Sequence, residues 1–277
     1  MIHIISDSTG TITQEMLDKY PNLHVIPLTI CIDGEYVTED KATIHQVIEY
    51  SERTKKAIPT SQPTTGEFLQ MFDTIPKEDG IIVVCLTSAV SGTYNGAALA
   101  CKESGRKDCF AIDSHSTAIG MRQMVQDGLE YIEQGLPFDV VKEKMLDVAR
   151  RNHTCFSVPT LDYLYRGGRI GRAANIVGSI LSIKPIIYVN KENQIDVLDK
   201  PRTTKKAIER MVKWLHDNSP CKRIGIVHIE NEEEALKLQA RVQAEYPDVP
   251  VTVSSSTPVL TCYLGPGLIG IIFESAE

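Results

Sequence analysis

Residues 80–87 read Gly80-Ile81-Ile82-Val83-Val84-Cys85-Leu86-Thr87, an almost wholly apolar run rich in β-branched side chains. A short apolar run of this composition predicts a strand that is buried on both faces. The Ala-rich segment 93–103 that follows predicts a helix, and the apolar residues 109–112 predict the next strand. A buried strand followed by a helix and a second strand is the unit from which parallel sheets are built.

The same alternation extends to both sides of this unit. Strands are predicted at 2–5 and 23–32, and helices at 14–20, 43–50, 65–72, 116–134 and 138–151. The dipeptide Asp33-Gly34 predicts a hairpin-like turn after the second strand. We therefore predict an α/β fold in which residues 1–158 form an N-terminal domain with a doubly wound, mostly parallel sheet.

The composition changes after a further predicted strand at 153–158. Pro159 is followed by paired glycines and three arginines within 163–172, and we place a domain boundary there. Residues 159–277 are predicted to form a second α/β domain with a smaller mixed sheet and helices. Its strands are predicted at 183–189, 195–198, 223–229, 249–254 and 268–273, and its helices at 203–218 and 231–246.

Composition and charge exclude several classes of protein. With 42% hydrophobic residues among 277, the chain can bury a large core, and its net charge of −7 without a Lys/Arg block argues against nucleic acid or a membrane surface as the main partner. The start MIHIISD does not resemble a signal peptide, and no apolar run is long enough for a membrane span, so we expect a cytoplasmic protein. Seven scattered cysteines predict neither disulfides nor a zinc site, and we expect no cofactor.

Two polar clusters predict a binding site. Pro59-Thr60-Ser61-Gln62-Pro63 places two hydroxyls and an amide between prolines that hold the backbone in a stiff, non-helical turn. Ser91-Gly92-Thr93 stands at a predicted helix start, where free N–H groups and the helix dipole favour an anion. Asp7 and Asp113 also follow predicted strands, at whose carboxyl ends such sheets bind ligands. We predict that the two clusters meet on one small acidic head group.

Other interpretations of these residues remain open. Ser61 is also typical of a residue that only stabilises a turn, and Ser91 is typical of a residue that only caps the N-terminus of a helix. As a nucleophile activated by His115 or Asp113, Ser91 would make the protein a hydrolase or phosphotransferase acting on acyl compounds, although no Gly-x-Ser-x-Gly elbow surrounds it. A regulatory module that senses a lipid and acts through its surface is a third alternative.

Five motifs occur in order along the chain: Ile5-Ser6-Asp7-Ser8-Thr9, Pro59-Thr60-Ser61-Gln62-Pro63, Ser91-Gly92-Thr93-Tyr94, Tyr163-Leu164 with Gly167-Gly168-Arg169-Ile170, and Ile183-Lys184-Pro185-Ile186. By these motifs the chain resembles, from end to end, the bacterial DegV family of fatty-acid-binding proteins. The resemblance implies two α/β domains that hold a long-chain fatty acid, such as palmitate or oleate, in an apolar tunnel.

The resemblance also implies a site and a partner. It assigns the carboxylate contacts to Ser61, Ser91 and Gly92, beside Thr60 and Thr93. It further implies that the protein is a carrier, not an enzyme, which presents the carboxylate to a separate fatty-acid kinase. We expect a basic patch for that acidic partner, formed by Arg169, Arg172 and Arg202.

One position departs from the family pattern. Where the family commonly shows His-Thr-Gly-Pro-Gly near the C-terminus, this chain has Tyr263-Leu264-Gly265-Pro266-Gly267. The resemblance places Tyr263 at the carboxylate. Because a phenol stays neutral at physiological pH, Tyr263 can donate one hydrogen bond but cannot add the charge of a protonated imidazole.

Overall fold

A computed structural model describes residues 1–176 and 183–276. Within these residues the strands are β1 Ile2–Asp7, β2 Leu23–Ile26, β3 Thr29–Ile32, β4 Glu35–Thr38, β5 Thr60–Ser61, β6 Gly80–Cys85, β7 Cys109–Asp113, β8 Asn152–Ser157, β9 Ile186–Val189, β10 Ile195–Asp199, β11 Cys221–His228, β12 Val251–Ser255 and β13 Ile269–Ser275. The α-helices are α1 Gln14–Lys19, α2 Ile44–Thr54, α3 Thr65–Asp73, α4 Thr93–Glu103, α5 Ala118–Glu133, α6 Phe138–Arg151, α7 Asp162–Arg166, α8 Thr204–Asp217, α9 Glu232–Glu245 and α10 Pro258–Leu264.

The first sheet is parallel and has the strand order β2-β1-β6-β7. All six residues of β6 are buried, as its apolar run predicts, because helices cover both faces of the sheet. Helices α3 and α4 cover one face and α5 and α6 the other. The prediction of a doubly wound α/β sheet is confirmed. The strand order reverses between β1 and β6, so the topological switch point of the sheet lies between these two strands.

The second sheet is mixed and has the order β10-β9-β8-β13-β11-β12. Strand β11 is parallel to β12, whereas the other neighbours are antiparallel. The mixed character was predicted, but the sheet has six strands and is larger than the four-stranded parallel sheet, not smaller. One face is covered by α8 and α9.

Strand β8 belongs to this mixed sheet. It lies between β13 and β9, and Cys155 pairs with Ile271 on one side and Tyr188 on the other. The predicted boundary between residues 158 and 159 therefore separates β8 from the strands with which it is hydrogen-bonded. Its apolar pattern predicts a strand but not the sheet to which the strand belongs, since pairing partners are distant in the chain.

A small antiparallel sheet, β4-β3-β5, joins the hairpin to the Pro59–Pro63 segment. Asp33 and Gly34 have φ of 52° and 88°, as a two-residue hairpin turn requires. The single strand predicted at 23–32 is divided into β2 and β3 around Pro27, which has no N–H for a sheet hydrogen bond. Thr60 and Ser61 form strand β5, so this segment is extended, as its prolines favour, and not a turn.

Helix α5 lies between the two larger sheets. Its Met121 and Met124 pack in the core of the parallel sheet, whereas Ala118 and Ile119 pack against Ile272 of the mixed sheet. Short helices α7 and α10 cover the same face of the mixed sheet as α5, and the sequence pattern did not predict either of them. Across residues 1–176 and 183–276, no helix is both long and apolar enough to span a lipid bilayer.

Candidate ligand-binding site

A cavity of about 300 Å³ lies beside the switch point of the parallel sheet. Leu86, directly after β6, and Leu28, shortly after β2, belong to its wall, and Phe156 of β8 lines it from the mixed sheet. Further apolar side chains come from β9, α7 and α10, namely Val189, Leu164, Leu260 and Leu264. Its wall is therefore apolar over most of its extent, and it is built by both larger sheets.

One polar wall of the cavity contains the Thr60–Tyr263 pair. The Thr60 hydroxyl and the Tyr263 phenol, 203 residues apart in the chain, are hydrogen-bonded at 2.6 Å. Strand β5 holds Thr60 and helix α10 holds Tyr263, and both side chains line the cavity. Since only one of the two hydroxyl protons is used in their mutual hydrogen bond, the pair retains one donor for a ligand.

Arg169 lines the same cavity, although the sequence predicted it as part of a docking patch. Its guanidinium carbon lies 4.9 Å from the centre of the Tyr263 ring. The side chain is held by the carbonyl oxygens of Gly167 and Val90, to which it donates hydrogen bonds at 2.9 and 3.3 Å. Arg169 therefore brings a permanent positive charge to the polar wall.

Ser91 contributes a hydroxyl from the start of α4. It lines the cavity, is 2.8 Å from the Thr93 hydroxyl and accepts a hydrogen bond from the Thr93 N–H at 3.2 Å. Thr93 is fully buried and does not line the cavity. Gly92 lies against Gln62, since a Cβ there would be 2.5 Å from Gln62 Oε1. The two predicted polar clusters therefore come together, and Gly92 is the residue that permits it.

Ser61 and Gln62 complete the part of the wall that comes from the Pro59–Pro63 segment. Both line the cavity and both are exposed residues. Of the residues predicted to bind the ligand, Thr60, Ser61, Ser91 and Tyr263 line the cavity, whereas Gly92 and Thr93 support it from behind. Gln62 and Arg169 were not predicted to bind the ligand. The sequence does contain an indication for Gln62, because it lies directly between the predicted ligand-binding residue Ser61 and Pro63.

The carboxylates at the strand ends hold the backbone together and do not line the cavity. Asp7 is fully buried and accepts hydrogen bonds from the Thr9 N–H at 3.0 Å, the Thr9 hydroxyl at 2.6 Å and the Leu86 N–H at 2.6 Å. Desolvation by burial raises the pKa of the Asp7 carboxyl from 3.8 to about 6. Asp113 accepts hydrogen bonds from the N–H groups of Ser88 and His115 at 3.2 and 3.1 Å.

Glu39 positions the helix that holds Tyr263. Its carboxylate is buried, accepts a hydrogen bond from the Val259 N–H of α10 at 2.7 Å and also accepts one from the Ser8 hydroxyl. Burial raises the pKa of the Glu39 carboxyl, and the hydrogen bonds oppose the shift. Through Glu39, the segment after β4 connects the end of β1 to α10 and so to the cavity wall.

The geometry gives little support to Ser91 as a nucleophile. No hydrogen bond joins Ser91 to His115 or Asp113 within the described part of the chain, and the Asp113 carboxylate is already used by backbone N–H groups and by Asn193 at 2.7 Å. The hydroxyl of Ser91 faces Thr93, which cannot act as a general base. The wall of hydroxyls and one guanidinium is instead suited to holding an anion in place.

Comparison with known proteins agrees with the fold and its extent. The family model described as "Uncharacterised protein, DegV family" matches residues 1–276. The protein DegV of Bacillus subtilis (strain 168) is 31% identical over 283 residues, and the match covers 98% of each chain.

Two solved structures are similar over nearly their whole length. A fatty-acid-binding DegV family protein from Thermus thermophilus has a TM-score of 0.90 at 26% identity, with 99% of each chain covered. A DegV family protein from Eubacterium eligens, loaded with heptadecanoic acid, has a TM-score of 0.86 at 25% identity, with 100% of each chain covered. The agreement in sequence and fold over the full length shows that the chain belongs to the DegV family.

Proposed function

We propose that this protein binds a long-chain fatty acid in the cavity, with the carboxylate at the polar wall and the acyl chain against the apolar side chains. The observation that carries the proposal is the combination, in one cavity, of the Thr60–Tyr263 pair and Arg169 with a largely apolar lining. Family members of the same fold bind fatty acids, as the Thermus and Eubacterium proteins do.

The two halves of such a ligand would contribute differently to its affinity. Each methylene transferred from water to the apolar wall contributes roughly 0.8 kcal/mol, so the acyl chain supplies most of the binding free energy. Hydroxyls of Ser61, Ser91 and the Thr60–Tyr263 pair would orient the carboxylate. Arg169 would supply the charge-assisted contact that the neutral Tyr263 cannot.

The first experiment tests the carboxylate contacts through the lipid that co-purifies with the protein. Denaturing mass spectrometry of a solvent extract is expected to find a stoichiometric fatty acid in the wild type. In a Ser61→Ala/Ser91→Ala double variant, that lipid is expected to be lost, and the affinity for added palmitate or oleate to fall at least roughly 100-fold, because two hydrogen bonds to a charged group are removed and each contributes about 1.5–3 kcal/mol.

A matched double variant controls for the number and type of substitutions. Ser254→Ala/Ser255→Ala alters two serines of strand β12 at the edge of the mixed sheet, outside the cavity, and is expected to retain the lipid. Absence of a fatty acid from the wild type, together with no binding of added palmitate or oleate, would contradict the proposal. Equal retention of lipid by both double variants would contradict the assignment of the carboxylate to Ser61 and Ser91.

We further infer that the protein acts as a carrier that presents the bound carboxylate to a fatty-acid kinase, docked through exposed arginines. Arg202 is exposed and has no hydrogen-bond or ion-pair partner among residues 1–176 and 183–276. Arg172 is also exposed and forms an ion pair with Asp196 at 3.2 Å. Arg169 lies at the polar wall of the cavity, so docking on this surface would bring the partner close to the carboxylate.

Charge reversal tests the docking surface. In an Arg172→Glu/Arg202→Glu variant, the rate of acyl phosphate formation by a purified fatty-acid kinase is expected to fall at least about tenfold, since like charges then face the acidic partner. The amount of bound palmitate should not change. Arg241→Glu on α9, which alters an arginine paired with Glu245, serves as the control. An unaltered rate in the double variant would contradict the proposal that Arg172 and Arg202 dock the kinase.

A further inference from the structure

The cavity has a second polar region, which the contacts proposed for the carboxylate do not use. Thr117 lines the cavity, and its hydroxyl oxygen is buried without a hydrogen-bond partner among the residues that the structure describes. Thr117 occupies the N-cap position of α5, where a threonine hydroxyl ordinarily accepts a hydrogen bond from the helix. Here it makes no such bond, so the donor and lone pairs of this buried hydroxyl are unused beside the cavity.

Thr154 adds a second hydroxyl to this region. It stands on β8 two residues before Phe156, and because side chains alternate along a strand the two occupy the same face and line the same cavity. Thr154 is only 3% exposed, and its hydroxyl lies 3.1 Å from that of the fully buried Ser116. This pair uses one of its two protons in the mutual bond, and residues 1–176 and 183–276 offer no acceptor for the other.

Different elements of the fold hold this hydroxyl region and the proposed head-group wall. The head-group residues are held by β5, the start of α4, α10 and the segment after α7, whereas Thr117 and Thr154 are held by the start of α5 and by β8. A hydrocarbon chain lying along Phe156 towards Thr154 would cover both hydroxyls without satisfying either. Burial of hydroxyls in that way is unfavourable unless a hydrogen-bonding atom is supplied.

We propose that Thr117 and Thr154 form a subsite for an oxygen atom on the acyl chain, so that the preferred ligand is a long-chain fatty acid with a mid-chain hydroxyl or oxo group. The inference deepens the proposed fatty-acid function and rests on it. Thr117 retains its O–H donor and the Thr154–Ser116 pair retains one, so an acceptor atom on the ligand would satisfy both. A hydroxyl or carbonyl oxygen meets this requirement, and a methylene does not.

A positional series of monohydroxystearates, compared with stearate by competition binding, tests the subsite. The wild type is expected to bind one isomer, or two adjacent ones, about 3- to 10-fold more tightly than stearate, the effect of one added hydrogen bond. Isomers with the hydroxyl elsewhere along the apolar wall are expected to bind more weakly than stearate, because the hydroxyl would then be buried without a partner.

Substitutions at Thr117 provide a signature that a general loss of folding cannot imitate. Thr117→Val replaces the hydroxyl with a methyl group of similar size. It is expected to lower the affinity for the preferred hydroxystearate about 3- to 10-fold and to raise the affinity for stearate. Thr117→Ser keeps the hydroxyl and should retain the preference for the same isomer. Thr154→Val is expected to act in the same direction as Thr117→Val.

The outcomes separate this inference from the function on which it rests. If stearate binds the wild type more tightly than every hydroxystearate, or if Thr117→Val changes stearate and the preferred isomer by the same factor, the oxygen subsite is wrong and fatty-acid binding stands. If neither stearate nor any isomer binds the wild type, the proposed function fails and the subsite fails with it.

Discussion

Replacing Asp7 with asparagine is expected to lower the free energy of unfolding by about 2–3 kcal/mol at about pH 4, where the Asp7 carboxyl is protonated in the native state and both side chains are neutral. The Asp7 carboxylate is fully buried and accepts hydrogen bonds from Leu86 and twice from Thr9. An asparagine amide offers only one acceptor oxygen, and its NH₂ group would face the N–H of Leu86 or the donors of Thr9. A buried donor left without an acceptor costs about 1–3 kcal/mol. Urea denaturation of the two proteins measures the difference.

The difference between wild type and Asp7→Asn is also expected to depend on pH. Since the pKa of Asp7 rises from 3.8 to about 6 on folding, the native state binds a proton more readily than the unfolded state between these values. Asp7 therefore contributes more stability as the pH falls through 6, and loses that contribution as the pH rises again. The difference in free energy of unfolding between the two proteins should therefore widen by about 2–3 kcal/mol from about pH 7 to about pH 4, because asparagine has no group that titrates.

An exposed aspartate provides the control for this pair of measurements. Asp33 is paired with Arg53 at 2.7 Å, with side chains 61% and 56% exposed. Asp33→Asn should therefore change the free energy of unfolding by less than about 1 kcal/mol. If the free energies of wild type and Asp7→Asn remain parallel across the pH range, the buried carboxyl does not titrate as its environment indicates.

Replacing Arg169 with methionine is expected to weaken palmitate binding about 10- to 100-fold. Methionine keeps an unbranched, apolar side chain over the Tyr263 ring but removes the charge and the donors, and a hydrogen bond between charged groups contributes about 1.5–3 kcal/mol. Titration of lipid-free protein with palmitate measures the loss. Arg172→Met is the matched control, because Arg172 is paired with Asp196 and does not line the cavity.

Hexadecanol distinguishes a charge contact from a structural effect of the same substitution. This ligand has the acyl length of palmitate but a neutral head group, so Arg169→Met should alter its affinity less than about threefold. An equal loss for hexadecanol and palmitate would mean that the substitution distorts the cavity. Unchanged palmitate affinity would show that Arg169 does not contact the carboxylate, and only its role in the docking surface would then remain.

The arrangement of head-group residues shows how far local pattern extends in this protein. The clusters around Ser61 and Ser91 were predicted to meet, and they do so where Gln62 lies against Gly92. Arg169 was predicted only as a surface charge. Its sequence neighbours are glycines and arginines typical of an exposed loop, and nothing local indicates that it stacks on Tyr263.

Hydrophobic periodicity, glycine and proline positions and helix caps were sufficient to predict the strands and helices of the doubly wound sheet, including α4 from Thr93 to Glu103. These are short-range signals, since they depend on which face of one element is buried. The sheet to which β8 belongs depends on contacts between elements far apart in the chain. So does the hydroxyl of Thr117, which has no hydrogen-bond partner in the part of the chain that the structure describes. The same holds for the hydrogen bond of Thr60 to Tyr263 across 203 residues. Such contacts are decided by tertiary packing, because a local pattern specifies a buried face but not the residues that cover it.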